Sequence, residues 1–497
     1  MAAPRGEKWP VAALLAVVVC ALLFYPAQRL NHDSSWFLVA TRKFFGGEQL
    51  YVDILETNPP LAFFLTEPAL YLADLTGLSE ASAFALTVIL AAWLSGLSTI
   101  ALLRRASITP GERAALLMAG LAILFLLPLG EFGQREHLFL IFAMPYVLAA
   151  GLGRERLGLS PGAEIAIGLW AFLGVGLKPY FVLVPLAMTL AGPPRRLPHR
   201  IIALPNFALG LALLAYAGLS YLAFPVYFER LLPLLLEVYA GIGDDAATVW
   251  RRPEIVGLGL AALLCRRERA WQDGASLRFL AAALGGAAVY LVQFKGWNYQ
   301  ILPMSGLMVL ATLWLVAERR LFARRAGLSL GLAAAVLVAT LGTQIALGPY
   351  RSLTADHFAR FSHGPGESVL VLSTNLSAAF PFVNEVRATW ASRYPLQWQI
   401  PGPVRALRDT DCVAAPRACA RSRAILDDAR AAIVADIARY RPDLVFIDER
   451  TKKSYFAGAR FDYLAFLSRD ARFARDWRAY RKVGAVPGYS VWQRAGT

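Results

Sequence analysis

The chain has 497 residues, of which 57% are hydrophobic and only 17% charged, with a formal net charge of +15. Mean hydropathy is +0.48. A soluble protein of this length carries nearer a quarter charged residues, so these values exclude an ordinary soluble domain and point to a polytopic membrane protein.

The N-terminus presents Arg5 and Lys8, then an apolar stretch from Val11 to Phe24. No small-residue cleavage site follows, so the reading is an uncleaved first span. Eleven spans are expected: 11–28, 82–103, 114–130, 138–152, 163–177, 180–192, 201–224, 253–265, 277–293, 301–317 and 327–347. The segment 61–78 is apolar but carries Glu67, Pro68 and Asp74. It is read as an amphipathic helix in the interface. With eleven spans, the N-terminal side holds most of the Lys and Arg of the short loops. The positive-inside rule then puts the N-terminus in the cytoplasm and the C-terminus outside.

From about Tyr350 the composition changes. The last 147 residues have no membrane-length apolar run and hold 23 Lys and Arg against 14 Asp and Glu. S-V-L-V-L-S (368–373) and L-V-F-I-D (444–448) read as buried strands, and 489–493 as a closing strand. Ile425, Ile433 and Ile437 share one helical face, with Tyr440 near it and Pro442 ending the helix; 461–474 also looks helical. The expected organisation is a transmembrane domain over 1–349, with an outer loop at 29–81. A C-terminal soluble α/β domain follows over 350–497, outside the cytoplasm. Cys412 and Cys419 lie in a loop of this domain, where a disulfide is expected.

The candidate chemistry lies in loops expected on the outer face. N-H-D-S-S-W-F (31–37) places His32 and Asp33 just after the first span, and Glu56 and Asn58 lie further along the same loop. G-E-F-G-Q-R-E-H-L (130–138) places Arg135, Glu136 and His137 at a helix start. G-L-K-P-Y-F (176–181) sets Lys178 in a break between spans. Q-F-K-G-W-N-Y-Q-I-L-P (293–303) carries Lys295 and Tyr299, and Arg251 and Arg252 precede another span. Trp, Tyr, Lys and Arg also serve as interfacial anchors, but carboxylates gain little there.

Sugar transfer from a lipid phosphate needs a carboxylate to take the acceptor proton, cations for the departing phosphate, and a groove for the polyprenyl chain. Asp33 and Glu136 suit the first need. Lys178, Lys295, Tyr299 and Arg135 suit the second, with Arg251 and Arg252 in reserve. Paired carboxylates can hold a divalent cation, but no ligand spacing specifies one.

Residues 31–103 resemble the opening of the GT-C superfamily of polyprenyl-phosphate-sugar glycosyltransferases. The family pattern is an Asp at the start of the first outer loop, a Tyr-rich stretch, a K/N-P-P-L turn, an amphipathic juxtamembrane helix ending near a Gly, and the second span. Here these read as Asp33, Tyr51, Asn58-Pro59-Pro60-Leu61, Leu61 to Gly77, and Ala83 to Leu103. Glu136 stands where the family has an acid before span four. Lys178-Pro179 matches its Lys-Pro break, and Tyr299 with Pro303 its Tyr-x-x-x-Pro pattern. The family often has Lys in place of Asn58 and Asp in place of Glu136.

The resemblance implies an inverting integral-membrane glycosyltransferase of the cell envelope. It would sit in a bacterial inner membrane, with a polyprenyl-phosphate-sugar donor, membrane lipid and an extracytoplasmic glycan, lipid or protein acceptor as partners, and no nucleic acid. A non-catalytic scaffold or polymerase component is the alternative. A transporter or flippase is disfavoured because the ionisable residues lie in loops and no internal repeat is visible.

Overall fold

A computed structural model describes residues 8–239, 242–243 and 245–496. It is a multi-pass helical membrane protein that also contains a small five-stranded sheet. Among the described residues, seven helices are long and apolar enough to cross a membrane: Trp9–Ala27, Glu80–Arg105, Arg135–Leu152, Leu204–Ala223, Gly274–Gln293, Asn298–Glu318 and Gly327–Leu347. The other four expected spans also fall on helical segments, but shorter ones. Pro161–Val175, Pro179–Leu190 and Pro253–Arg267 have fewer than 18 residues. Pro110–Leu121 continues through a π-helical turn, Ala122–Leu126. Each of these four starts at a proline, and the flanking turns take residues that an apolar count assigns to the span.

The chain divides into two compact units. The first comprises Met1–Arg29, Asn58–Ser220 and Asp245–Tyr350. The helix Leu61–Thr76 lies here and ends at Gly77, whose left-handed backbone (φ 71°) closes a bond to Ala73 O. Helix Arg135–Leu152 is buried along nearly all of its length. Gly285 and Gly286 let Gly274–Gln293 approach two neighbours closely. A Cβ on Gly285 would lie 2.7 Å from Val184 Cα, and one on Gly286 2.8 Å from Met304 N. Small residues of this kind let membrane helices pack backbone to backbone.

The second unit comprises Leu30–Thr57, Tyr221–Asp244 and Arg351–Thr497. Its strands are β1 (Ser368–Leu372), β2 (Thr389–Trp390), β3 (Leu444–Asp448), β4 (Tyr480–Val486) and β5 (Tyr489–Arg494), in the order β2-β1-β3-β5-β4. β1 pairs parallel with β2 and β3, while β5 pairs antiparallel with β3 and β4. The strands expected at 368–373 and 444–448 are therefore neighbours, and the helix Pro416–Tyr440 precedes β3 in the crossover. Leu370, Leu372, Val445 and Ile447 pack with Ile433, Val434 and Ile437 of that helix. On alternate positions, Phe446 stacks on Phe358 with ring centroids 3.9 Å apart. Both faces of the parallel strands are thus covered, which explains their unbroken apolar runs. The helix expected at 461–474 is two short helices, Tyr463–Leu467 and Ala471–Asp476, each capped by an Asp side chain. Cys412 and Cys419 form a disulfide.

Two sequence-distant segments join this sheet. Leu55 N–H donates to Arg393 O at 2.8 Å, and Asn384 Nδ2 to Ser35 O at 3.1 Å. Asp436, 1% exposed, accepts from Arg393 N at 2.9 Å, Arg393 Nε at 2.8 Å and Ser392 Oγ at 3.2 Å. Arg421 and Glu237 form a forked ion pair, and Tyr227 donates to Thr57 O.

Candidate active site

In the first unit, the helix that begins at Arg135 is positioned by the turn before it. His137 holds that turn: its Nδ1 accepts from Gly133 N–H at 3.1 Å, and its Nε2 lies 2.9 Å from Leu124 O. Both bonds are satisfied only by the neutral imidazole protonated at Nε2. Phe132 stacks on Tyr25 at 3.6 Å between centroids. The turn thereby sets Glu136 in the first helical turn, where the helix dipole favours a carboxylate.

Glu136 is fully buried, and its Oε1 accepts from Lys178 Nζ at 2.6 Å. Its other oxygen has no hydrogen-bond partner among the described residues. Lys178 arrives from the break after Pro161–Val175. Pro179 forces the preceding residue into extended backbone (φ −146°, ψ 136°), which ends the helix and directs the Lys side chain inward. Its ammonium lies 5.1 Å from the ring centroid of Tyr299.

The connection 294–298 completes the group. Phe294 and Gly296 take left-handed backbone (φ 46° and 74°), turning the chain between two spans. Lys295 Nζ lies 5.0 Å from the Trp297 ring centroid. Burial, with a smaller contribution from the Lys178 charge, lowers the pKa of Lys295 to about 7. Asn298 accepts from Arg252 Nη1 at 2.8 Å, and Arg252 Nε lies 3.6 Å from Glu254 Oε2. Glu136, Lys178, Lys295, Tyr299 and Arg252 are thus linked through four connections of one unit. Arg135 is also buried, whereas Arg251 is exposed. Glu254, completely buried beside Arg252, was not anticipated; an acid two residues after Arg252 in the first turn of a span was the signal that could have found it.

Asp33 belongs to the second unit, on the helix His32–Phe45. Asn31 caps that helix by accepting from Asp33 N–H at 2.9 Å. Asp33 is 7% exposed, and His32 Nε2 lies 3.9 Å from its Oδ1. Glu56 is buried and accepts from Trp36 Nε1 at 2.5 Å and Thr57 Oγ1 at 3.3 Å, so it braces the loop onto the Asp33 helix. Asn58 falls at the start of a first-unit segment. Lys43 is a further residue that sequence reasoning missed. It donates to Ser392 O at 3.2 Å and pairs with Glu48 at 3.2 Å. Its pattern of partners, spread over 350 positions of sequence, has no local signature. Among the described residues, no group of three or more His, Cys, Asp or Glu gathers to hold a metal ion.

No protein-family model and no curated protein matches the chain. Solved structures do. ArnT from Cupriavidus metallidurans, bound to undecaprenyl phosphate, aligns over 99% of both chains with a TM-score of 0.52 and 16% identity. The arabinofuranosyltransferase AftD from Mycobacteria aligns over 99% of this chain and 40% of its own, with a TM-score of 0.48 and 15% identity. The archaeal oligosaccharyltransferase AglB from Archaeoglobus fulgidus, in complex with an inhibitory peptide and a dolichol-phosphate, aligns over 99% of this chain and 74% of its own, with a TM-score of 0.47 and 9% identity. The ArnT alignment runs end to end, and at this identity it speaks for architecture. The resemblance read from residues 31–103 therefore holds at the level of the fold: this chain shares the architecture of ArnT.

Proposed function

We propose that this chain is an integral-membrane glycosyltransferase. It moves a sugar from a polyprenyl-phosphate-linked donor to an extracytoplasmic glycan, lipid or protein acceptor, with inversion at the anomeric carbon. The observation that carries this reading is the buried group around Lys178. Three loops of a GT-C fold bring Lys178, Lys295 and Tyr299 together beside a buried carboxylate.

In this reading Asp33 is the general base. Its carboxylate takes the proton of the acceptor hydroxyl as that oxygen attacks the anomeric carbon. The bond from that carbon to the phosphate oxygen breaks, and polyprenyl phosphate leaves with the electron pair. Lys178, Lys295 and Tyr299 hold the departing phosphate, with Arg135 and Arg252 adding positive charge. Glu136 fixes the Lys178 ammonium in place. The interfacial helix Leu61–Thr76 shapes the groove for the lipid.

The same reading places the protein in a bacterial inner membrane, N-terminus in the cytoplasm and residues 350–497 outside as an α/β domain. The Cys412–Cys419 disulfide supports an oxidising compartment for that domain.

The test is transfer of radiolabelled sugar from polyprenyl-phosphate donors by purified protein, wild type against Asp33→Asn. Transfer by the wild type and loss in the variant is the expected result. Equal rates in both would overturn the role of Asp33. Failure of the wild type with a panel of such donors would overturn the activity.

A further inference from the structure

The arginine-rich end of the first unit has no part in the sugar-transfer chemistry. Two stretches meet there, 266–272 at the end of the helix Pro253–Arg267 and 318–325 at the end of Asn298–Glu318. Together they hold seven arginines against Glu268 and Glu318. Orientation in a bilayer needs only a count of cations near the span ends. Three features here go beyond a count.

First, side chains tie the two stretches into one platform. Arg324 Nη1 donates to Glu268 Oε2 at 3.2 Å, Arg267 Nε donates to Ser329 Oγ at 3.0 Å, and Ser329 Oγ donates to Glu268 Oε1. Glu268 is committed to these bonds. Arg266, Arg269, Arg320 and Arg325 stay exposed, with no ion pair or side-chain hydrogen bond among the described residues. Three of these four stand in left-handed backbone: Arg269 (φ 51°), Arg320 (φ 50°) and Arg325 (φ 48°). Glycine occupies such positions without strain, so arginine without a protein partner there points to a use for its charge.

Second, aromatic rings are interleaved with the arginines. Trp271 is 50% exposed and Phe322 is 74% exposed. Rings of this kind sit at headgroup depth. Third, an apolar recess of about 400 Å³ lies between the helices that carry the platform, lined by Leu258, Ala261, Leu264, Leu280, Ala311 and Leu315. Leu264 and Leu315 are about one helical turn from the arginines: Glu268 N–H bonds Leu264 O at 2.9 Å, and Arg319 N–H bonds Leu315 O at 3.0 Å. Free cations, interfacial rings and an apolar slot thus follow one another in the order of a phospholipid's own parts.

We propose that this platform binds an anionic phospholipid, its phosphate on the exposed guanidiniums and one acyl chain in the recess. Guanidinium forks match phosphate oxygens, and basic pockets between membrane helices suit such headgroups. Trp271 and Phe322 lie against the glycerol region. The lipid belongs to the leaflet on this side, the cytoplasmic one in the topology proposed above. Its binding is independent of sugar transfer, because the test needs neither donor nor acceptor.

Full-length protein in a neutral detergent is titrated with dioleoyl phosphatidylglycerol, dioleoyl phosphatidylcholine and inorganic phosphate. Native mass spectrometry counts the lipid retained, and the thermal midpoint is followed. Phosphatidylglycerol is expected to be retained and to raise the midpoint saturably. Phosphatidylcholine, with the same chains, and phosphate should do so far less. Arg269→Asn, Arg320→Asn and Arg325→Asn together remove charge through a residue that tolerates left-handed backbone. The triple variant should bind phosphatidylglycerol about tenfold more weakly, with its lipid-free midpoint unchanged. Arg266→Gln, in regular helix, should give a smaller loss that backbone strain cannot mimic. Ala311→Leu, which fills the recess, should weaken the lipid while all the arginines remain. Arg105→Gln with Arg195→Gln, exposed cations of other connections, should leave binding as it was. Equal retention of the two lipids overturns the anionic headgroup. Phosphate as effective as phosphatidylglycerol overturns the lipid. Undiminished binding in the triple variant and in Arg266→Gln overturns the platform, and so does an equal loss in the Arg105 and Arg195 variant, which would mark diffuse attraction. Undiminished binding in Ala311→Leu removes the acyl chain from the recess.

Discussion

Lys178 and Glu136 meet at 2.6 Å inside the first unit, one 3% exposed and the other not exposed at all. Removing one member of such a pair leaves a desolvated charge, at a cost of about 3–5 kcal/mol. Glu136→Gln is expected to lower stability by that amount in denaturant or thermal unfolding. Lys178→Met combined with Glu136→Gln should recover part of it, giving a clear coupling energy in a double-mutant cycle.

Asp33→Asn should keep the fold, since the Asn31 cap accepts from the backbone N–H of residue 33 and not from its side chain. The expected loss is about 10²–10⁴-fold in turnover with little change in donor affinity. Steady-state kinetics with a fixed acceptor check this split, and a matching thermal midpoint checks the fold.

Lys295 predicts a pH dependence. Its pKa falls from the ordinary 10.5 to about 7, so the free protein carries the full Lys295 charge only below pH 7. A phosphodiester donor does not titrate in this range, so donor affinity should be highest below pH 7 and fall as pH rises through it. Lys295→Gln should flatten the profile and weaken binding at pH 6. The sign for stability is the opposite: between about 7 and 10.5 the unfolded chain binds more protons than the folded one, so unliganded stability rises with pH over that window.

Asp436 accepts three hydrogen bonds from Ser392 and Arg393, and Arg393 O accepts from Leu55. Asp436→Asn should cost about 3 kcal/mol and increase hydrogen exchange in residues 48–57, the loop this network anchors.

Gly286→Ala inserts a methyl 2.8 Å from Met304 N, where backbone cannot yield as a side-chain tip would. Overpacking of this kind should cost about 1–3 kcal/mol, read as a lower thermal midpoint in detergent. Gly259→Ala on another span meets nothing within 4 Å and serves as the neutral control.

Apolar runs, a charge-poor composition and the composition change near Tyr350 determined the membrane character and the α/β lobe. These properties follow from local solvation, which each stretch of sequence carries by itself. The Lys178-Pro179 break was legible for the same reason, because proline restricts its neighbour whatever surrounds it. The two apolar strands were also plain, while β2, with two residues, and β4, with exposed Arg481 and Lys482, had no apolar signature.

Tertiary structure alone decided the partners. That Glu136 neutralises Lys178 across 42 positions, that Glu56 holds Trp36, and that Lys43 reaches Ser392 are consequences of chain crossings, which leave no local pattern. It also decided which segments fold together, since Leu55 bonds Arg393 O through its backbone N–H and Glu237 pairs with Arg421, both from stretches that read locally as loop. Periodicity reports which face of an element is buried; what lies against that face is set by long-range packing, and so is the chemistry of a buried charge.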